Sequence, residues 1–349
     1  MNPRIAVPLY SAMAFSVLMA LTGLAVAPGD VWPNVLLSGF FLAGIGLGGG
    51  FMVAVHDASN GRWLGPVRRI ACSLTRLVLP GSIVVLAAIL FSGSHLYPAF
   101  HEHLGGFRGV WLERTFFTVR AFFYVAAWMF ALRILKKRPA TFLVIFAFTV
   151  WLASVDWIMS LDGEWASTIF GVYHFAGLFT SALAAILIVA INRSRNDHRI
   201  TSDHLHDLGK LLFAFSTFWM YIWFSQGMLI WYGNLRDETG YYSIRAYGNW
   251  GVLFWAVVAL MWGLPFFVLL SEKTKRNRTI AMRIAVAVLI GHWLDLYVSI
   301  VPAHVPEPQL NGWELALALG TFATLGWAAT RRETVLIDVG PALQPARSD

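Results

Sequence analysis

Residues 150–175 read VWLASVDWIMSLDGEWASTIFGVYHF. The stretch is too apolar for a water-exposed loop, yet it carries Asp156, Asp162, Glu164 and His174. Extended both ways, it becomes two long apolar runs, 140–162 and 166–192, joined by a short acidic mouth at Asp162 and Glu164. A membrane span needs about 20 apolar residues, and both runs reach that length. Asp156 then lies inside one span and His174 inside the next.

The rest of the chain follows the same pattern. Of 349 residues, 58% are apolar and only 13% charged, and the mean hydropathy is +0.63. A soluble domain carries about 25% charged residues. The composition predicts an all-α, polytopic integral membrane protein, in contact with lipid. Ten segments qualify as spans: 6–27, 35–57, 69–93, 113–135, 140–162, 166–192, 208–233, 247–271, 279–302 and 313–330. The first follows Arg4 and ends in Ala25-Val26-Ala27, which resembles a signal-peptidase site. It is longer than the roughly 7–15 residues of a signal core, so it reads as a membrane helix.

The net charge of +7 does not indicate nucleic acid here, because the basic residues cluster between the apolar runs. With ten spans, nineteen Lys and Arg residues fall on one side, in clusters such as Arg133, Lys136, Lys137 and Arg138. The other side receives Arg108, Arg236 and Arg245. This asymmetry predicts both termini in the cytoplasm. Cys72 is the single cysteine. It allows no disulfide within the chain, no C-x-x-C-H haem attachment and no iron–sulfur ligand set. A redox centre would need histidine ligands or a partner subunit.

The topology gives each ionisable side chain a depth, at about 1.5 Å per helical residue. Asp156 lies roughly 9 Å from the outer end of span five and His174 roughly 12 Å into span six. Arg120, Gln226, His292 and Asp295 also belong to the outer half. A charge in hydrocarbon costs a few kcal/mol even on lenient scales, and such groups commonly mark a proton or substrate path. Asp156, His174, Asp295, His292 and Arg120 are therefore candidates for a proton path. The competing reading makes Asp156 the structural partner of Arg120. In the inner half, His56 and Asp57 end span two, Arg76 lies in span three, and Asp207 and Lys210 open span seven. Asp57 and Arg76 join the proton-path candidates as an expected pair, while Lys210 can snorkel to the interface.

Two weaker signals remain. HLYPAFHEH, residues 95–103, offers His95, His101, Glu102 and His103, but nothing in its spacing fixes a metal geometry, so no metal site is assigned. Phe41-Leu42-Ala43-Gly44 in span two echoes His174-Phe175-Ala176-Gly177 in span six, a short hint of duplicated four-helix units. Gly44, Gly46, Gly48, Gly49 and Gly50 give span two small residues for close helix approach.

Three stretches together carry a resemblance. They are SVDWIMSLDGEWASTIFGVYHFAG, DLGKLLFAFSTFWMYIWFSQGMLIWYGNL and GHWLDLYVSIVP. They resemble the ActF family of membrane subunits from bacterial alternative complex III, within the wider family of NrfD and polysulfide-reductase membrane subunits. The likeness spans most of residues 35–302. It implies ten helices in one membrane domain: a peripheral first helix, four-helix bundles at 35–162 and 166–302, a last helix at 313–330 and a cytoplasmic tail at 331–349. It also implies a bacterial cytoplasmic membrane and a quinol:cytochrome c (or oxidase) oxidoreductase complex. The implied partners are an NrfD-like paralogue, an iron–sulfur subunit and c-type haem subunits, with the haems and clusters held by those partners. Asp156, in the DWIMSL motif, would stand on an outer proton path. Quinone or quinol binding is expected around Asp156, His174 and Gln226. The rival expectations are a directly quinol-oxidising subunit and a stand-alone transporter or proton channel.

Overall fold

A computed structural model describes residues 3–61, 63–100, 105–163 and 165–330. His101, Glu102, His103, Glu164 and the tail 331–349 lie outside the described residues. The described residues are 85% helical and contain no strand. The long helices are α1 (Pro3–Val26), α2 (Pro28–Ala58), α3 (Val67–Phe91), α4 (Arg114–Ile134), α5 (Pro139–Trp157), α6 (Phe170–Arg193), α7 (Ser202–Gly233), α8 (Gly248–Leu269), α9 (Arg278–Ile300) and α10 (Gly312–Thr330). Among the described residues, eight helices are long and apolar enough to cross a membrane. The two others are α7 and α10. In α7 the Trp and Tyr residues and Gln226 dilute the hydropathy, and in α10 Glu314 does so.

Local chemistry sets the helix ends. Pro28 and Pro139 stand at the first turns of α2 and α5, where a missing N–H costs nothing. The Glu113 carboxylate caps α4 by accepting from the Thr115 and Phe116 amides at 3.0 and 2.7 Å. Asn277 caps α9 in the same way. Asn234 ends α7 with φ of 47°, in the left-handed region, which asparagine tolerates better than most residues. α8 contains one π turn, Ala259–Gly263, just before Pro265. Pro265 has no N–H for the carbonyl four residues back, and a one-residue widening is a known response to such a gap.

The core is built around α2. It packs against α3, α5, α6, α9 and α10. Its glycines permit this on several faces at once. A Cβ on Gly39 would meet the Gly81 carbonyl of α3 at 2.8 Å, and one on Gly46 would meet Val78. On another face, a Cβ on Gly44 would stand 3.2 Å from Leu178 of α6. α4 closes against α3 and α5, α7 and α9 close against α6, and α8 packs on α9. α1 lies outside this group, paired mainly with α10.

The α2–α3 contact gives a direct test. A Cβ on Gly81 would stand 2.7 Å from the Gly39 carbonyl, with backbone on both sides. Gly81→Ala is expected to destabilise the chain by about 1–3 kcal/mol through overpacking. Thermal unfolding in detergent checks it, and an unchanged midpoint would mean that the two helices do not approach this closely.

Candidate functional site

Two polar clusters sit inside the bundle toward the end that carries the short helices Gly106–Trp111 and Arg236–Ala246. This end is called distal below. The first cluster is centred on Asp156, one residue before the end of α5 and 1% exposed. Its Oδ1 accepts from the Trp111 indole at 2.8 Å. Its Oδ2 accepts from Arg120 Nε at 2.9 Å and from the Tyr124 hydroxyl at 2.7 Å. The Arg120 guanidinium lies 4.0 Å from the Trp111 ring centre and 4.5 Å from that of Phe116. Arg120 and Tyr124 are one turn apart on α4, so one helix face presents both donors. Removed from water, a carboxylate needs such partners to remain charged.

The second cluster joins α6 and α9. The Tyr173 hydroxyl donates to Asp295 Oδ1. Asp295 Oδ2 lies 3.6 Å from His292 Nδ1, one turn earlier on the same helix. Gly177 makes room for this pair, since a Cβ there would meet the His292 ring at 2.8 Å. His292 stacks on Phe41 of α2. His174 is 1% exposed, edge-on to Phe40 and Phe170, and neither ring nitrogen has a protein partner.

Asp295 also lines a cleft, with Tyr173, Gln226, Trp223, Tyr242 and Arg245 among the walls. Its empty space, including the open mouth, is about 370 Å³. Asp156 and His174 are not among the lining residues. The expected quinone trio is therefore divided: Gln226 lines the cleft beside Asp295, while Asp156 belongs to the other cluster.

Arg245 holds the cleft together. The sequence puts it among the loop charges; the structure buries it to 2% exposure. Its Nε donates to the Val298 carbonyl at 3.0 Å, and one amino group donates to the Ser299 carbonyl at 3.2 Å. That group also reaches Asp162 Oδ2 at 2.9 Å, and the other donates to the Tyr241 carbonyl at 3.0 Å. The guanidinium carbon sits 3.5 Å from the Tyr241 ring centre. The reason begins four residues after Val298. Pro302 has no N–H, so the Val298 carbonyl lacks its helical donor, and Arg245 supplies one. The signal in the sequence is the proline near the end of the ninth apolar run, paired with an arginine in a short, aromatic connecting segment.

The residues at the opposite end of the bundle pair differently from the expectation. Asp57 accepts from Arg68, at 3.0 Å from Nε and 2.6 Å from an amino group, and Arg76 is not its partner. His56 Nδ1 lies 3.0 Å from the same carboxylate. Arg76 sits half-buried in the tight turn Thr75–Leu77 of α3. Depth along the span matches Asp57 to Arg76. The rotation of α3 against α2 selects Arg68 instead, nearer the surface. Lys210 bonds Asp207 at 3.1 Å in an exposed pair, as its position near the interface suggests. Among the described residues, no three His, Cys, Asp or Glu side chains converge on a metal position.

His304, just beyond α9, gives a pH test. Burial pushes its pKa down to about 4, with the nearby Asp162 carboxylate opposing the shift. The unfolded value is about 6.5. The folded pKa is the lower, so the unfolded chain binds the extra proton first. His304's contribution to stability is complete above about pH 6.5 and is lost as pH falls toward 4. Thermal midpoints measured from pH 7.5 to 4 should fall less steeply in His304→Gln than in the wild type. Parallel curves would refute the assignment.

A scan against protein-family models finds no match for the chain, and neither does a search of curated proteins.

Proposed function

We propose that this chain is an integral subunit of an alternative complex III-like quinol oxidoreductase and supplies the distal half of a proton path together with a scaffold for its partners. In this reading, α2–α5 and α6–α9 are two four-helix bundles, all ten long helices cross the bacterial cytoplasmic membrane, and both termini are cytoplasmic. The partners are an NrfD-like paralogue, an iron–sulfur subunit and c-type haem subunits.

The observation that carries the proposal is Asp295. It is a membrane-buried carboxylate, 3% exposed, that faces a cleft and contacts a tyrosine and a histidine. A carboxylate next to a histidine inside a span can accept and pass a proton. Asp156 has three donors on it, one of them an arginine, which suits a fixed group beside the path better than a proton relay. A second cavity, between α2, α4, α5 and α6, is walled by Phe40, Ala43, Gly44, Leu47, Trp128, Val150 and Leu178, all apolar, and offers a proton no carrier. Gln226 and the aromatic walls of the cleft also suit a quinone headgroup, which needs a flat apolar slot and an amide donor.

The test is proton translocation by the purified complex in vesicles. Asp295→Asn is expected to lower translocation severalfold while the complex still assembles. Unchanged translocation would remove Asp295 from the path. Mass spectrometry of what copurifies with the chain in gentle detergent tests the assembly. Recovery of the chain alone, folded and stable, would favour a stand-alone transporter.

A further inference from the structure

The distal cleft contains one guanidinium and one carboxylate, Arg245 and Asp295, and they do not pair with each other. Arg245 is matched by Asp162 at 2.9 Å. Asp295 accepts from the Tyr173 hydroxyl and has His292 Nδ1 3.6 Å away. Among the described residues, no Lys or Arg pairs with it. A carboxylate offers about four acceptor positions, so Asp295 has room for further donors. A buried carboxylate without a cation beside it is costly.

The other walls of the same cleft offer donors. Gln226 is 3% exposed, and among the described residues its amide makes no hydrogen bond; nor does the Tyr242 hydroxyl. The Trp223 and Phe254 rings line the same space, and an aromatic face attracts a cation. A quinone headgroup would satisfy Gln226 and the rings but bring no positive charge to Asp295. The flanks of the cleft mark its depth in the membrane. Trp231 and Tyr232 follow Gln226 on α7 within about 9 Å of helical rise, and Tyr247 and Trp255 stand at the start of α8. All four are exposed. Exposed Trp and Tyr collect at the level of lipid headgroups.

We propose that the cleft binds the headgroup of a phosphatidylethanolamine lipid, with its primary ammonium on Asp295 and its phosphate on Gln226 and Tyr242. The ammonium brings three N–H donors to the carboxylate, and the phosphate oxygens accept from the amide and the hydroxyl. A choline headgroup carries the same charge but no N–H, so it leaves Asp295 without its donors. The empty space of about 370 Å³, mouth included, is of small-ligand size. The acyl chains lie outside, against exposed apolar side chains of α7 and α8 such as Phe224 and Val252. This lipid site depends neither on the proton path nor on membership of a quinol oxidoreductase.

The experiment is native mass spectrometry of the full chain, delipidated in detergent and mixed with dioleoyl phosphatidylethanolamine or dioleoyl phosphatidylcholine at matched concentration. The wild type should retain one phosphatidylethanolamine and about tenfold less phosphatidylcholine, the loss expected when a hydrogen bond to a charged group is missing. Asp295→Asn should lose most of that preference. Gln226→Leu, which keeps the packing volume, should weaken retention of both lipids severalfold and leave the preference, and it decides the matter if Asp295→Asn does not fold. Equal retention of the two lipids by the wild type, or wild-type behaviour in both variants, overturns the site. Soluble phosphoethanolamine at the lipid's concentration should not displace the bound lipid. Displacement would assign the cleft to a water-soluble amine and overturn the lipid.

Discussion

Asp156→Ala is expected to destabilise the chain by about 3–5 kcal/mol, the cost of leaving a buried charge without its partner. The substitution strands the Arg120 guanidinium in an aromatic pocket and removes the one acceptor that the described residues offer the Trp111 indole and the Tyr124 hydroxyl. Asp156→Asn keeps the shape and one acceptor oxygen, so its loss should be smaller. Changing both partners, as in Arg120→Met with Asp156→Leu, should recover most of the loss, because a buried ion pair is often replaceable by apolar residues at little cost. Thermal midpoints of the wild type, Arg120→Met, Asp156→Leu and the double variant make a double-mutant cycle. Additive losses would show that the two residues are not coupled.

Arg245→Ala should have a comparable effect, again about 3–5 kcal/mol. It frees the Val298 and Ser299 carbonyls at the end of α9 and releases Asp162 and Tyr241 at the same time. The helical donor that would replace it at Val298 is missing, since Pro302 has no N–H. Arg245→Lys keeps the charge but not the planar fork that reaches several acceptors, so it should rescue only part of the loss. The same change to alanine should open the cleft. Cys72 is the only cysteine and is buried, so a thiol placed at Gln226→Cys can be labelled over a low background. Its labelling rate should rise at least about tenfold in Arg245→Ala, the factor that 1.4 kcal/mol of opening free energy yields. An equal rate in both backgrounds would show that Arg245 does not hold the cleft shut.

The pairing of Asp156 with Arg120 is legible in the sequence, because both residues carry charge at one depth in neighbouring spans. Tyr124 and Trp111 are not. A tyrosine inside an aromatic span looks like packing, and Trp111 arrives from a connecting segment with no periodicity to place it. The neighbourhood of Asp295 is half legible. His292 precedes it by one turn, but Tyr173 comes from another helix at 122 residues' separation. Arg245 escapes a linear reading because RDETGYYSIRAYGN is polar enough to pass for a solvated loop.

The sequence by itself located the long helices, with some ends several residues off, and the polar groups Asp156, His174, His292 and Asp295 that they bury. Apolar runs, prolines and capping residues act within a few positions of the chain, so a one-dimensional reading captures them. The tertiary structure alone decided which groups meet. Depth along a span is a single coordinate, while a contact also needs the rotation of each helix and the order of its neighbours. Close approaches such as Gly39 to Gly81 and Gly44 to Leu178 set those rotations. They join Asp57 to Arg68 in place of Arg76, separate Asp156 from the cleft, and bring Arg245 to a carbonyl that Pro302 leaves without a donor.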